Sequence, residues 1–485
     1  MHNTAHIRIL DEVNVHITGV DARIRSKMVK AVEFFLPSAK YSYLYKSGRW
    51  NGCTSFCTQG GRTYINVLDR LLPILQEAGY EIEIEDLRLT HKFEFPLVDE
   101  NHNADICWPS GHRFAGEPIM LRDYQVDAIN ECLQNVQGIN VLPTGSGKTV
   151  LVATLSKIVE AYGRSIVIVP NKSLVTQTEA DYRNLGLDVG VMYGDRKEYD
   201  RTHTICTWQS LHVLDKKHKD ALDADQMDTF MKDLVCVIVD EVHSVKDLNV
   251  LQKLLTNNFK HIPIRWGLTG TLPEEEWNQL SLCCSIGPQI GELSAHELQE
   301  AGVLASCAVK ILHTQETAQY TQYQDELKYL TTDETRLKWL SGQIEQISQS
   351  GNTLVLVDRI ATGEFLKDEI SGSIWISGDM KNHDRAEYYR EMELVENRVV
   401  IATYGVAAVG VSINRIHHVI LVEPGKSFIR VVQSIGRGLR KSNTKDHVTI
   451  WDIASKCKFS NNHLNRRKQI YQKVQYPYEV KKVTY

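Results

Sequence analysis

The glycine-rich stretch at residues 142–149, Leu-Pro-Thr-Gly-Ser-Gly-Lys-Thr, constrains the fold more than any other part of the sequence. It follows a short apolar run at 139–142 and precedes a helical pattern at 150–162. A turn between a strand and a helix presents backbone N–H groups and the positive helix end, which together bind phosphate oxygens. Lys148 can reach the β and γ phosphates of a nucleoside triphosphate, and the Thr149 hydroxyl can bind Mg²⁺. The predicted phosphate-binding residues are Thr144, Gly145, Ser146, Gly147, Lys148 and Thr149.

Apolar runs alternate with helical patterns at 113–305 and again at 306–455. This alternation predicts an α/β protein with two tandem domains, each a parallel sheet flanked by helices. Residues 1–112 predict a small α+β domain, and residues 456–485 a basic tail. The predicted strands are 139–142, 165–169, 189–192, 204–207, 234–239, 264–268, 353–357, 373–376, 399–402, 419–422 and 448–451. In the second domain we also predict helices at 361–371, 383–394 and 428–441.

A second candidate site is the apolar strand at 237–239, which ends in two acids. An acid at the carboxyl end of a strand, beside a phosphate-binding loop, can hold Mg²⁺ directly or through water, and this role suits Asp240. The adjacent Glu241 can orient and polarise the water that attacks the γ-phosphate.

The second α/β domain has no phosphate-binding loop but carries a third motif at 433–440. On a helix, Gln433, Arg437 and Arg440 share one face. Arginines supplied from another domain stabilise charge on a transferring phosphoryl group. We therefore predict Gln433, Arg437 and Arg440 as catalytic residues together with Lys148 and the acidic pair.

The motifs, in this order, resemble those of superfamily 2 helicases and translocases, which have two RecA-like domains. The resemblance covers about residues 121–440 and implies ATP and Mg²⁺ as cofactors and nucleic acid as partner. It implies that Arg122 and Gln125 belong to an adenine-reading motif, and that Gly410 lies in a motif between ATP and the strand. It implies coupling roles for His243, Thr269, Gly270 and Thr271. The nucleic-acid contacts that it implies are Pro170, Thr207, Gln209, Arg359, Ser377 and Thr403.

Three residues depart from the common pattern. The phosphate-binding loop opens with Leu142 instead of glycine, and Ser412 stands where many relatives carry an acid. The acidic box is Asp-Glu-Val-His, with His243 last, which disfavours the DEAD-box RNA group.

Features outside the motor resemble the phage UvsW-type helicases, which remodel branched DNA. They are the segments 45–52 and 68–73 and the residues Asn-His-Leu-Asn at 462–465. This resemblance implies branch migration of Holliday junctions, fork regression and R-loop unwinding, in phage-type recombination, repair and replication. Three alternatives stay open: an RNA helicase, a duplex-DNA translocase subunit, and an ATP-gated clamp that binds nucleic acid without separating strands.

Charge is segregated in this chain of 485 residues, whose net charge is −5. The segment 23–62 contains eight Lys or Arg residues and one acid, Glu33. We predict that this segment binds phosphates of duplex or branched DNA, with Arg49 in contact and Trp50 stacking on a base. The tail at 456–485 carries eight basic residues against Glu479, and either binds the DNA backbone or caps the second domain.

The cysteines and the apolar content indicate the compartment. Ten scattered cysteines fit reduced thiols, although Cys53, Cys57, Cys107 and His112 leave a zinc site open. No apolar run reaches the length of a membrane span, and the first residues lack a signal pattern. We therefore expect a cytoplasmic monomer, in the host cytoplasm if a phage encodes it, without a membrane partner.

Overall fold

The computed structural model describes residues 4–110, 114–219, 224–245, 249–316, 318–378, 380, 387–388, 394–406, 415–425 and 447–485. They form two compact units. The first unit comprises Met1–Val141 and Thr149–Glu292, and the second comprises Leu142–Lys148 and Leu293–Tyr485.

The first unit begins with a small α+β domain. Its elements are β1 (Thr4–Ile9), β2 (Asn14–Thr18), α1 (Ala22–Ala31), β3 (Glu33–Phe35), α2 (Tyr43–Lys46), β4 (Cys53–Ser55), β5 (Arg62–Tyr64), α3 (Leu68–Glu77) and β6 (Glu81–Asp86). Four strands form a sheet in the order β5-β2-β1-β6, and β3 pairs with β4. Alternate residues of β1 and β2 are buried under α1 and α3, as the period of two along a strand requires.

The rest of the first unit is an α/β domain. Its elements are α4 (Asp123–Gln134), β7 (Gln137–Val141), α5 (Lys148–Val159), β8 (Arg164–Val169), α6 (Lys172–Asn184), β9 (Val189–Tyr193), β10 (Arg196–Lys197), β11 (His203–Thr207), α7 (Trp208–Lys219), α8 (Ala224–Met231), β12 (Leu234–Asp240), α9 (Val250–Lys253), β13 (Ile264–Thr269), α10 (Glu276–Ser285) and β14 (Gln289–Glu292). The eight strands are ordered β10-β9-β11-β8-β12-β13-β7-β14, and every pair except β9 and β10 is parallel.

The two parts of the first unit share a core. Leu280 and Cys284 of α10 pack into the apolar core of the small domain. The backbone N–H of Glu12 donates to the carbonyl of Lys260 at 2.9 Å. Asn66 Nδ2 donates to the carbonyl of Cys283 at 2.8 Å. The small domain is therefore fixed to the α/β domain by buried contacts.

The second unit is a second α/β domain. Its elements are α11 (Ala295–Glu300), β15 (Ser306–Thr314), α12 (Tyr323–Thr332), α13 (Glu334–Ser348), β16 (Thr353–Val357), α14 (Ile360–Glu369), β17 (Ile374–Ile376), β18 (Val399–Thr403), β19 (His418–Val422), β20 (His447–Ser455), α15 (Lys458–Lys473) and β21 (Tyr478–Val483). Seven parallel strands are ordered β17-β18-β16-β19-β20-β15-β21.

The basic tail is integrated into this second sheet. β21 pairs with β15, and Arg467 of α15 makes two hydrogen bonds of 2.8 Å to the Asp452 carboxylate. Tyr471 Oη donates to the same carboxylate at 2.7 Å. All three side chains are fully buried, so this part of the tail caps the second domain.

The α/β fold class predicted from the sequence is confirmed, and each predicted strand corresponds to an observed one. The sequence pattern does not predict the strands β10, β14, β15 and β21 or the helices α12, α13 and α15 of the two α/β domains. The helix predicted at 428–441 lies outside the described residues, and the one at 383–394 is described only at 387, 388 and 394.

Candidate functional site

The phosphate-binding loop leaves the carboxyl end of β7 and leads directly into α5. Gly145 and Gly147 have φ values of +92° and +81°, a backbone conformation that favours glycine. Leu142 has no positive φ and is 3% exposed, so the first position of the loop accommodates a side chain. Lys148 Nζ donates to the carbonyl of Leu142 at 3.1 Å. Thr144 and Ser146 lie within the loop, and Thr149 is the second residue of α5.

The acidic pair lies where β12 ends. Asp240 is its last residue, and one carboxylate oxygen accepts from the backbone N–H of Glu241 at 2.9 Å. Glu241 has a φ of +52°, which is unfavourable for a residue with a side chain and recurs at active sites. The turn therefore places two adjacent carboxylates at the carboxyl end of one strand.

The predicted coupling residues are connected by hydrogen bonds. His243 Nδ1 lies 2.9 Å from Thr269 Oγ1, at the end of the neighbouring strand β13. Thr269 Oγ1 donates to the carbonyl of Thr271 at 2.8 Å. His243 Nδ1 is also 3.3 Å from Glu241 Oε2. The turn that follows β13, which contains Gly270, is thus connected to the acidic box.

The predicted adenine-reading residues lie at the start of α4. The side-chain oxygen of Gln125 accepts from the backbone N–H of Arg122 at 3.0 Å, which fixes the orientation of the carboxamide. Gln125 is 6% exposed. Arg122 Nη1 donates to Tyr124 Oη at 2.8 Å.

Three predicted nucleic-acid contacts of the first unit line one cavity of about 410 Å³. Pro170 follows β8, and Thr207 and Gln209 lie where β11 passes into α7. Lys172 and Lys197 line the same cavity. The N-termini of α6 and α7 border it, and helix N-termini favour anions. The cavity therefore combines two positive helix ends with two ammonium groups.

Sequence reasoning missed Lys197, because its position depends on a hairpin. β9 and β10 are antiparallel, and Arg196 anchors their turn through hydrogen bonds of 2.9 and 2.8 Å to the Glu179 carboxylate. The bond to Arg196 is the main reason why the pKa of Glu179 is lowered. Lys172 follows the predicted contact Pro170 by two residues, but nothing in the local sequence distinguishes it from other lysines.

The predicted contacts of the second unit follow the ends of three adjacent strands. Arg359 comes after β16, Ser377 after β17, and Thr403 ends β18. Arg359 Nη2 donates to Gln324 Oε1 at 3.3 Å, and its side chain is 50% exposed. Thr403 Oγ1 accepts from the backbone N–H of Val406 at 3.3 Å.

The remaining candidates differ in accessibility. Arg49 is exposed, whereas Trp50 is half-buried and its indole N–H donates to the carbonyl of Cys53 at 2.8 Å. The predicted residues Gly410, Gln433, Arg437 and Arg440 lie outside the described residues.

Two family models match the chain. "Type III restriction enzyme, res subunit" matches residues 118–274, and "Helicase conserved C-terminal domain" matches residues 312–442. The ATP-dependent DNA helicase uvsW of Enterobacteria phage T4 is 25% identical over 492 residues, which cover 96% of this chain and 92% of the relative. The chain is a superfamily 2 helicase. It is accordingly a nucleic-acid-dependent ATPase that acts on DNA.

Other relatives match the helicase over shorter lengths. The putative DNA 3'-5' helicase Rad25 of Haloarcula marismortui is 26% identical over 299 residues, 59% of this chain and 45% of the relative. The structure of the Type ISP restriction-modification enzyme LlaBIII has a TM-score of 0.56 and 14% identity, and covers 86% of this chain and 36% of that one. The Dbp5 structure from S. cerevisiae has a TM-score of 0.53 and 15% identity, and covers 74% and 89%. These structural likenesses show the tandem RecA-like fold.

The side-chain oxygens at the ends of the phosphate-binding loop and of β12 are suited to Mg²⁺ that binds together with a nucleotide. In the described ranges no three His, Cys, Asp or Glu side chains form a group that could hold a metal ion. Mg²⁺ needs only one or two protein oxygens when phosphates and water supply the others, and Asp240 and Thr149 provide such oxygens. Among the described cysteines, burial raises the pKa of Cys57 to about 11, which favours its thiol form. No described helix is both long and apolar enough to cross a bilayer.

Proposed function

We propose that this helicase remodels branched DNA, by branch migration of four-way junctions, fork regression and unwinding of R-loops. The observation that carries the proposal is the extent of the match to the DNA helicase uvsW. It covers 96% of the chain, including the N-terminal domain, whereas the Rad25 match covers 59%. A domain added to the motor is where a preference for branched over linear DNA would reside.

The surface of the N-terminal domain supports this role. Of the eight basic residues at 23–62, only Arg25 is half-buried, and the other seven are exposed. On the acidic strand β6, by contrast, Glu85 lies 2.6 Å from Arg8 Nε, and Glu83 lies 3.0 Å from His6 Nδ1. Glu85 and Glu83 therefore have side-chain partners within the domain, while the basic segment remains available for phosphates.

The motor residues have corresponding roles in the proposal. Lys148 and the loop N–H groups bind the phosphates of ATP, Asp240 and Thr149 hold Mg²⁺, and Glu241 orients the attacking water. Bound Mg²⁺ neutralises charge that develops on the phosphates. Gln433, Arg437 and Arg440 stabilise the transferring phosphoryl group, and Gly410 contributes to the ATP-facing motif. His243 and Thr269 transmit the state of the acidic box to the turn after β13.

The nucleic acid has its own set of contacts in the proposal. Pro170, Thr207 and Gln209 hold one strand in the first unit, and Arg359, Ser377 and Thr403 hold it in the second. These contacts are to the backbone, so they carry no sequence preference and weaken with salt.

Strand displacement on a synthetic four-way junction tests the proposal. We compare it with a linear DNA duplex and an RNA duplex of matched arm sequence, with Lys148→Ala as the inactive control. The expected result is ATP-dependent displacement that is faster on the junction than on either duplex. Preference for the RNA duplex would favour an RNA helicase, and movement along linear DNA without displacement would favour a translocase subunit. Binding without movement would favour a clamp, and each of these results would refute the branched-DNA proposal.

A charge reversal tests the role of the N-terminal domain. The domain shares its core with α10, so surface substitutions are more informative than a deletion. Arg23, Lys27 and Lys30 are exposed on α1, and Lys253 is exposed on α9 of the same unit. We expect the triple change to Glu to weaken junction binding more than Lys253→Glu does. Equal affinities for the two variants would contradict the role.

A further inference from the structure

The most exposed aromatic side chains of the N-terminal domain lie in residues 36–52, which we call the tyrosine loop. Tyr41 is 83% exposed and Tyr43 is 73% exposed. Two largely solvated rings on a folded domain gain little from burial in the chain itself, and tyrosine rings are enriched where a protein binds a partner. Trp50, in the same loop, is half-buried and hydrogen-bonded to the carbonyl of Cys53, so it is less available for stacking.

The tyrosine loop is held in a defined conformation. The backbone N–H of Leu36 donates to the carbonyl of Gly52 at 2.9 Å, which closes the loop. The rings of Phe35 and Tyr45 meet edge to face at 5.7 Å underneath it. Gly52 has a φ of +80°, and a Cβ there would lie 2.5 Å from the Phe35 ring. Tyr41 and Tyr43 therefore project from a preorganised support, which limits the entropy lost when a ligand stacks on them.

Positive charge surrounds the two exposed rings. Lys40, Lys46 and Arg49 are exposed members of the loop, and none of them forms an ion pair within the part of the chain that the structure describes. Exposed aromatic rings combined with unpaired cations are the chemistry of surfaces that bind unpaired nucleotides, where bases stack on rings and cations hold phosphates. An apolar protein partner would not require this density of positive charge.

We propose that Tyr41 and Tyr43 stack on unpaired bases at the branch point of the DNA, and that Lys40, Lys46 and Arg49 bind the flanking phosphates. The inference rests on the proposed function, because base pairs at a branch point lack a stacked neighbour and open more readily than those within a continuous duplex. It identifies the tyrosine loop as the part of the N-terminal domain that distinguishes a branch point from a continuous duplex.

The test measures the Kd of the full chain for a four-way junction and for a linear duplex of the same sequence. The junction carries 2-aminopurine, a base whose fluorescence reports stacking, at the branch point. The variants are Tyr41→Ala with Tyr43→Ala, and Tyr41→Phe with Tyr43→Phe, which keeps the rings. Leu89→Ala is the matched control, since Leu89 is 75% exposed and lies in the same domain outside the loop. Thermal unfolding checks that all variants fold.

We expect the double Ala variant to raise the junction Kd by about fivefold or more, the lower limit for the loss of one stacking contact. Its Kd for the linear duplex should change less, and the 2-aminopurine signal on binding should be lost. The Phe variant and Leu89→Ala should retain the wild-type junction Kd. Unchanged junction affinity and 2-aminopurine signal in the double Ala variant would overturn the inference. The exposed rings would then be better explained as a contact site for another protein. A wild-type chain that binds both DNAs equally would instead refute the proposed function.

Discussion

His243 Nδ1 donates a hydrogen bond to Thr269 Oγ1 over 2.9 Å and so joins the turn after β12 to the end of the neighbouring strand β13. The direction of this bond follows from the next one. The Thr269 hydroxyl has a single proton, which it donates to the carbonyl of Thr271 at 2.8 Å. It must therefore accept from His243, whose Nδ1 carries the proton. The acidic box and the turn after β13 consequently form one hydrogen-bonded unit.

Thr269→Val tests whether this connection couples hydrolysis to movement. Valine keeps the shape but removes both the acceptor for His243 and the donor to the Thr271 carbonyl, at a cost of about 1 kcal/mol for each hydrogen bond. We expect the strands displaced per ATP hydrolysed to fall about fivefold or more. Thr204→Val is the control, since the Thr204 hydroxyl is buried without a hydrogen-bond partner in the described part of the chain. Parallel loss of hydrolysis and displacement would contradict the coupling role.

Lys148→Ala should abolish DNA-stimulated ATP hydrolysis. The ammonium group, now bonded to the carbonyl of Leu142, is the only charged side chain in the loop. Loss of a charged group that stabilises the transferring phosphoryl lowers kcat by about 10²-fold or more. A phosphate-release assay at saturating DNA measures the effect, with Lys157→Ala on the same helix as the matched control. Turnover at the wild-type rate would exclude Lys148 from the site.

Lys172→Ala and Lys197→Ala should each weaken single-strand binding uniformly across sequences. Each ammonium lines the cavity between the N-termini of α6 and α7, where we expect it to contact a phosphate. Removing one phosphate contact reduces the slope of log K against log salt by about 1. Titrations at several salt concentrations measure this slope, and Lys253→Ala serves as the exposed control. A slope that stays the same would place both lysines outside the DNA path.

Local sequence identified most strands of both sheets, because buried parallel strands are short β-branched runs. β12, with Val237, Ile238 and Val239, is an example. β15 escaped the pattern because Lys310 and His313 interrupt its apolar residues. The polar residue Lys310 is accommodated over the ring of Trp451 at 5.3 Å, a contact with a strand far along the chain. Such long-range contacts have no signature in a window of ten residues.

The residues of the candidate site likewise fall into those that the local sequence identifies and those that it does not. The loop at 142–149 and the pair Asp240 and Glu241 were identifiable because their chemistry depends on adjacent residues. Lys197 and Tyr41 were not, since the first depends on the anchoring of a hairpin by Arg196 and the second on exposure in the folded domain. The hydrogen bond from the Trp50 indole to the Cys53 carbonyl joins residues that are close in sequence. The sequence alone nevertheless does not distinguish a tryptophan that stacks on a base from one that is bonded within the domain.

Asp181 gives a prediction of pH dependence. Burial raises the pKa of its carboxyl group to about 6 from the usual 3.8. The folded state therefore binds the proton more tightly than the unfolded state, and this contribution to stability is lost as pH rises through 6. Asp181→Asn should raise the free energy of unfolding by about 1–3 kcal/mol at pH 8 and by less at pH 5. Urea unfolding at both pH values measures the difference.

Asp368→Asn is the control for this experiment, because the side chain of Asp368 is 75% exposed. It should change the free energy of unfolding equally little at both pH values. If Asp181→Asn raised the free energy of unfolding equally at pH 5 and pH 8, ionisation of the carboxyl group would not be the cause of the increase.

The shared core of the N-terminal domain and α10 bears on how the helicase contacts DNA at two places at once. Leu280, Cys284 and the bond from Asn66 to Cys283 make the domain a rigid extension of the first α/β domain. We therefore expect the spacing between the tyrosine loop and the lysine-lined cavity to stay constant while ATP is hydrolysed. A change in the path of the DNA between these two sites would then strain the DNA, because the N-terminal domain could not shift to follow it.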